Sequence, residues 1–197
     1  MMGRWGPVAL FGLLAACASI DDLSHQNYKR GFLRDHALAR ESVAALPMWA
    51  KGDLRSYLPA ADGIFVSALK EMRPNLSVIL PEESRRQIEA QGAESAYRSS
   101  RDAFVAKKVA REEDIRRIGR TLNVRFLLQT DLDLVEVGDG ATQVRIRGEL
   151  WDTEMGDLVW EGVGEARGYL VLVFPRTPAT FEKTAEVASR GLVRQLP

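Results

Sequence analysis

The sequence has few of the residues that bind metals or form covalent cross-links. It contains one cysteine, Cys17, and two histidines, His25 and His36. A single cysteine cannot form an internal disulfide, so the fold must be stabilised by its core alone. A protein zinc site needs three or four ligands, more than the two histidines can supply. We therefore expect no metal and no cofactor.

Charge of one sign is not in excess either. The 27 Lys and Arg residues balance 27 Asp and Glu residues, and the basic ones are scattered along the chain. Because a nucleic-acid partner normally requires a basic face, the sequence predicts none. A hydrophobic fraction of 46% and a charged fraction of 27% over 197 residues are typical of one globular domain with a short appendage.

The amino terminus has the layout of an export signal. Arg4 precedes an apolar stretch at 8–14, and two small residues follow it. The stretch is well short of the roughly 20 residues that span a bilayer as a helix. Leu14-Ala15-Ala16-Cys17 resembles the lipobox of bacterial lipoproteins, which implies diacylglycerol on Cys17 and cleavage before it. The alternative is an ordinary buried cysteine, but it is the only cysteine and it stands at the lipobox position. We therefore predict a signal peptide at 1–16.

The residues after Cys17 predict where the mature protein lies. Ala18 stands where enteric lipoproteins kept in the inner membrane have aspartate, and this resemblance implies the periplasmic face of the outer membrane. Residues 17–41 are polar and mixed, which indicates a lipidated tether. A tether of this length keeps the domain, predicted at 42–197, close to its own membrane.

From residue 42 onward the hydrophobic pattern becomes regular. It predicts the order β-α-β-α-(α)-α-β-β-β-α, in which the last strands form an antiparallel meander. Gly119 lies on the apolar side of a predicted helix, where the missing side chain would let the backbone approach a sheet closely. The fold class is α+β, a two-layer domain with a mixed sheet and helices on one face.

Two carboxylates alternate along one predicted strand and could form a catalytic pair. However, folding the predicted hairpin about Asp139 places Asp133 opposite Arg145 and Asp131 opposite Arg147. Such cross-strand charge pairs are typical of a solvated sheet face. The sequence also contains no glycine-rich phosphate loop and no nucleophile elbow. We therefore predict that the protein is not an enzyme.

Three segments resemble a known group of periplasmic domains. These are found at the amino end of TolB, in the curli-secretion lipoprotein CsgG and in lipoprotein activators of penicillin-binding proteins. The matching segments are 43–47, 118–128 and 150–160, and the likeness covers about 42–196. Segment 92–110 is not part of the common pattern and lacks strand alternation, which argues against a membrane pore.

The resemblance implies a non-enzymatic protein-binding or assembly module of an envelope machine for secretion, polysaccharide or cell-wall synthesis. The partner would be an envelope protein or a second copy of the chain, and the lipid on Cys17 would hold the module to the membrane. The alternative is a periplasmic carrier of a small apolar or glycan ligand, held between helices and sheet.

One patch of the predicted open sheet face could bind a partner. Trp151, Arg147 and Leu127 lie together there, and aromatic and Arg residues are common binding anchors. The alternative is that the inserted segment 94–108 folds over the patch and buries it within the monomer. The sequence leaves both possibilities open.

Overall fold

One mixed sheet organises the chain. The computed structural model describes residues 18–33, 37–106, 109–138, 140–170 and 177–197. Within these ranges there are nine strands, five α-helices and two short 3-10 helices. The strands are β1 (Ala18–Asp22), β2 (His25–Lys29), β3 (Ser42–Ala45), β4 (Trp49–Ala50), β5 (Ser77–Ile79), β6 (Phe126–Gly138), β7 (Ala141–Asp152), β8 (Asp157–Leu170) and β9 (Thr177–Pro178). The helices are α1 (Leu58–Met72), α2 (Pro81–Ala90), α3 (Glu94–Val105), α4 (Glu112–Leu122) and α5 (Phe181–Gln195); the 3-10 helices are Ala37–Arg40 and Gly52–Tyr57.

The sheet combines a long antiparallel meander with a short parallel part. Its strand order is β1-β8-β7-β6-β3-β5. Strands β6, β7 and β8 pair antiparallel in sequence, whereas β3 pairs parallel with both β5 and β6. The predicted α+β class, the mixed sheet and the carboxyl-terminal meander are confirmed.

The parallel part determines where the helices lie. The chain moves outward from β3 to β5 through α1, and then back past β3 to β6 through α2, α3 and α4. Because both crossovers are expected to be right-handed, opposite directions of travel put the two sets of helices on opposite faces. The adjacent residues Leu127 and Leu128 point to opposite faces, and they belong to different hydrophobic clusters. The prediction had placed the helices on one face.

Helix α5 lies against the meander at close range. A Cβ atom added to Gly164 of β8 would lie 2.1 Å from the carbonyl oxygen of Ala188, so only glycine fits there. The larger hydrophobic cluster forms along this contact and extends to α1; its largest fully buried members include Trp160, Phe65 and Ile146. Helices α1 and α5 thus cover one face of the sheet.

The segment predicted to be a tether contributes two strands instead. Both β1 and β2 pair antiparallel with β8, and the ladder begins with Ala18 opposite Leu170. Backbone bonds continue between and beyond the two strands: Leu23 N–H donates to the Glu165 carbonyl at 2.8 Å. Residues 25–28 of β2 are exposed, so they show no apolar alternation by which a strand could be recognised. Backbone pairing with β8 makes this segment part of the sheet.

Several predictions fall on parts of the chain outside the described ranges. These are the signal peptide at 1–16, and the cleavage and lipidation at Cys17. Within the described ranges, none of the helices combines the length and the apolar character needed to cross a membrane.

Candidate functional site

The patch predicted to bind a partner lies inside the domain. Leu127 is 0%, Trp151 2% and Arg147 8% exposed. Leu127 and Trp151 belong to a cluster formed with α2, α3 and α4, and Arg147 contacts the end of α3. Of the two possibilities that the sequence left open, the structure therefore has the second, in which the inserted segment covers the patch. The physical reason is the return crossover from β5 to β6, which brings three helices onto this face.

Arg147 attaches α3 to the sheet. Its Nη2 donates to the carbonyl oxygen of Phe104 at 2.7 Å and to Asp131 Oδ2 at 3.1 Å. The guanidinium carbon also lies 4.3 Å from the centroid of the Phe104 ring. Phe104 is in the last turn of α3, where the helix dipole favours a cation. Hydrogen bonding, charge and ring stacking thus act at one point.

Glu149 is an acid of this face with a raised pKa. Burial raises the pKa of its carboxyl group to about 7, the positive charge of Arg147 opposes the rise, and the negative charge of Glu161 adds to it. Trp151 Nε1 donates to Glu149 Oε2 at 3.2 Å, and the Arg147 guanidinium lies 4.0 Å from Oε1. The proton on Glu149 therefore comes off close to neutral pH.

The contact between α3 and the sheet is unusually polar. Gln129 Nε2 donates to Ser100 Oγ of α3 at 2.6 Å. Two further buried atoms, Gln129 Oε1 and Arg147 Nε, have no hydrogen-bond partner within the described residues. Each such atom costs roughly 1–3 kcal/mol, so α3 is held less favourably than a helix on an apolar face.

The two strand carboxylates have different surroundings. Asp131 is opposite Arg147, as predicted, but it is only 4% exposed. A β-bulge places Leu134, rather than Asp133, opposite Arg145; the Asp133 carboxylate is partly exposed and lies 3.8 Å from that guanidinium. The prediction of a solvated face is therefore wrong at Asp131, because α3 covers it. The two carboxylates take part in separate ion pairs.

Cavities of the described residues are small or open. A pocket of about 190 Å³ lies where α1 and α5 end, and is lined by Leu38, Met72, Leu76, Leu196 and Pro197 among others. Sites for drug-sized ligands usually measure about 300–1,000 Å³. A more open groove of about 610 Å³ follows α1 and α5. The described residues contain no group of three or more His, Cys, Asp or Glu that could hold a metal ion.

Comparison with known proteins gives no family. Neither a family model nor a curated protein sequence matches the chain. Solved structures with a similar course of the chain include the PelC dodecamer from Paraburkholderia phytofirmans, with 15% identity, 91% of this chain and 100% of that chain covered, and a TM-score of 0.48. Lipoprotein GNA1162 from Neisseria meningitidis is 11% identical; 64% of this chain and 83% of that chain are covered, with a TM-score of 0.44. The LpoB C-terminal domain from Salmonella enterica is 13% identical; 64% of this chain and 81% of that chain are covered, with a TM-score of 0.39. The likeness concerns the chain path alone.

Proposed function

We propose that this protein is a lipoprotein of the periplasmic face of the outer membrane that works without catalysis, by binding another protein during assembly of an envelope machine. One observation supports the proposal: Cys17, which closes the lipobox-like sequence Leu14-Ala15-Ala16-Cys17, is followed directly by β1 at the edge of the sheet. A diacylglycerol on Cys17 would anchor the whole domain stably, since two acyl chains suffice where one does not.

The use of the polar side chains supports binding rather than catalysis. Arg147 and Asp131 bond with each other, and Arg147 also bonds with the α3 backbone, while Glu149 accepts from Trp151. All four side chains are buried, so they hold α3 in place and have no substrate-accessible face.

The amino-terminal edge offers a surface that a protein could use. Leu23, Tyr28 and Phe32 are 48%, 41% and 51% exposed; Leu23 and Tyr28 lie along β8, and Phe32 is in the turn that follows β2. Edge strands with exposed apolar side chains are common sites of strand addition and of protein contact. The occupant would be an envelope protein or a second copy of the chain.

The anchor is tested by replacing its sulfur. Cys17→Ser should abolish metabolic labelling with a palmitate analogue and release the protein from membranes, whereas Ser19→Ala should keep both. Ala18→Asp tests the membrane, because by the resemblance aspartate at this position should retain the protein in the inner membrane. Labelling that persists in Cys17→Ser would refute the lipoprotein assignment.

Protein binding is tested by photocrosslinking from the proposed edge. A photoreactive phenylalanine analogue at Tyr28 or Phe32 should give an adduct of defined mass in intact cells, either with a second copy or with another protein. The same analogue at exposed Glu82 of α2, a helix that packs on α4 and β3 rather than along β8, is the matched control. Adducts that are absent from both edge positions would contradict this surface. A carrier function would instead give a copurifying small molecule in native mass spectrometry.

A further inference from the structure

One end of the sheet gathers three features in one place, and we call it the anchor end. It consists of the start of β1, the end of β8 and the turn between β6 and β7. Ala18 is opposite Leu170, Ile20 is opposite Gly168, and Gly168 is also opposite Thr142 next to the turn. These chain ends are therefore level to within two residues, or about 7 Å at 3.3 Å per residue.

A single peptide bond joins Cys17 to this end. Its Cα lies about 3.8 Å from that of Ala18 across one peptide bond. Ala18 is already part of the β1–β8 ladder, so no linker separates the anchored residue from the sheet. In the order β1-β8-β7-β6, the turn between β6 and β7 lies two to three strands from β1, or about 10–14 Å at 4.8 Å per strand. A bilayer that holds Cys17 must therefore come close to that turn.

The chemistry of the anchor end suits contact with lipid headgroups. Val137, beside the turn, is 64% exposed. A shallow cavity of about 290 Å³ next to it is lined by Val137, Gly138 and Ala141, together with the polar Glu136, Gln143 and Arg167. An apolar tip with a few polar neighbours fits the boundary between headgroups and acyl chains.

The opposite end of the sheet has a different character. At the turn between β7 and β8, Arg125 pairs with Asp152 and Glu154. Nearby on α4, Arg116 pairs with Glu112 and donates to the Met155 carbonyl. Burying these ion pairs against lipid would require their desolvation. The charged end is therefore the one that faces water.

We propose that the anchor end rests on the bilayer, so that the sheet stands upright on the membrane with the β6–β7 turn at headgroup depth. The β7–β8 turn then lies about 40 Å out, since β7 has 12 residues at about 3.4 Å each. This rests on the proposed lipidation of Cys17, and it adds an orientation that a lipid anchor by itself does not fix.

Site-specific fluorescence tests this orientation on the mature lipoprotein. Its only natural thiol is blocked by lipid, so Val137→Cys and, separately, Glu154→Cys each provide one site for an environment-sensitive fluorophore. The proteins are placed in vesicles of phosphatidylethanolamine and phosphatidylglycerol with a headgroup nitroxide lipid. We expect quenching to be several-fold stronger at 137 than at 154. Equal quenching, or stronger quenching at 154, would overturn the orientation.

A linker variant gives the matched control. Ten Gly and Ser residues inserted between Cys17 and Ala18 span roughly 17 Å as a flexible chain, and should remove most of the difference between the two sites. Flotation with the vesicles separates the two proposals. A protein that floats without quenching at 137 contradicts the orientation alone. One that lacks the lipid and does not float contradicts both.

Discussion

Glu149 gives the protein a stability that should depend on pH in a defined window. Burial raises the pKa of its carboxyl group from 4.5 to about 7 in the folded state. Below pH 4.5 the group is protonated in both states, so its full contribution is present. As the pH rises, the unfolded state ionises first, and the free energy of unfolding falls until the folded state ionises near pH 7.

The size of the effect follows from the shift. Each pKa unit corresponds to 1.36 kcal/mol, so the change between pH 4.5 and 7 amounts to roughly 3 kcal/mol. Glu149→Gln removes the ionisation and keeps a carbonyl acceptor for Trp151 Nε1, which donates to this side chain at 3.2 Å. The variant should match the parent near pH 4.5 and be more stable by up to about 3 kcal/mol at pH 8.

Urea unfolding followed by tryptophan fluorescence measures this difference. The assay uses a non-lipidated Cys17→Ser form between pH 4.5 and 8, and takes the free energy of the variant minus that of the parent. Acids distant from Glu149 contribute equally to both proteins and cancel. Glu136→Gln removes an exposed carboxylate of the neighbouring strand and serves as control. Parent and variant curves that stay parallel over this range would refute the reasoning.

Three further predictions concern packing, and each is measured by urea unfolding of the same form. Gly119→Ala should have a free energy of unfolding about 1–3 kcal/mol lower than Gly63→Ala. An added Cβ would lie 2.2 Å from a threonine Cβ at the first site, whereas nothing lies within 4 Å at the second. Equal stabilities of the two variants would contradict the close approach. Asp131→Asn should cost several kcal/mol because it breaks a buried ion pair, whereas Asp133→Asn, at a partly exposed pair, should cost less than about 1; the reverse order would contradict the burial. Trp151→Ala should lower the free energy of unfolding by about 3–5 kcal/mol, as expected for a core tryptophan; an unchanged stability would contradict the burial of this side chain.

Features set by local sequence could be predicted. The meander follows from three long strands with turn residues between them, and the prediction that Asp131 lies opposite Arg147 is confirmed. The close approach at Gly119 is confirmed as well, because that glycine stands on the apolar side of α4 where Thr153 contacts it. For the meander and the Asp131–Arg147 pair the deciding contact lies between neighbouring strands; at Gly119 the apolar side of one helix was enough to predict a close contact, although its partner lies in the turn after β7.

Features set by pairing between distant segments could not be predicted from patterns. The bulge beside Asp133 leaves no mark in the alternation, and β2 has exposed side chains that resemble a loop. The burial of Arg147 was open because composition does not say which face a crossover covers. If the parallel pairing of β3 with β5 and β6 had been known, the right-handedness of parallel crossovers would have placed α2, α3 and α4 over the sheet face that carries Arg147.

The pairing of β1 with β8 has a consequence for the order in which the chain can fold. Ser19 and Tyr169, which are hydrogen-bonded, are 150 residues apart, so β1 can pair only after β8, near the other end of the sequence, has been made. Closing so long a loop costs only about 0.6 kcal/mol more than closing one half as long, so the delay affects timing far more than final stability. The β6–β7 hairpin can form earlier from neighbouring residues, and its open edge is then a template for wrong partners until β8 arrives. Docking of β1 and β2 onto β8 would therefore be a late step of folding, and it is the step that protects the edge of β8 from wrong partners.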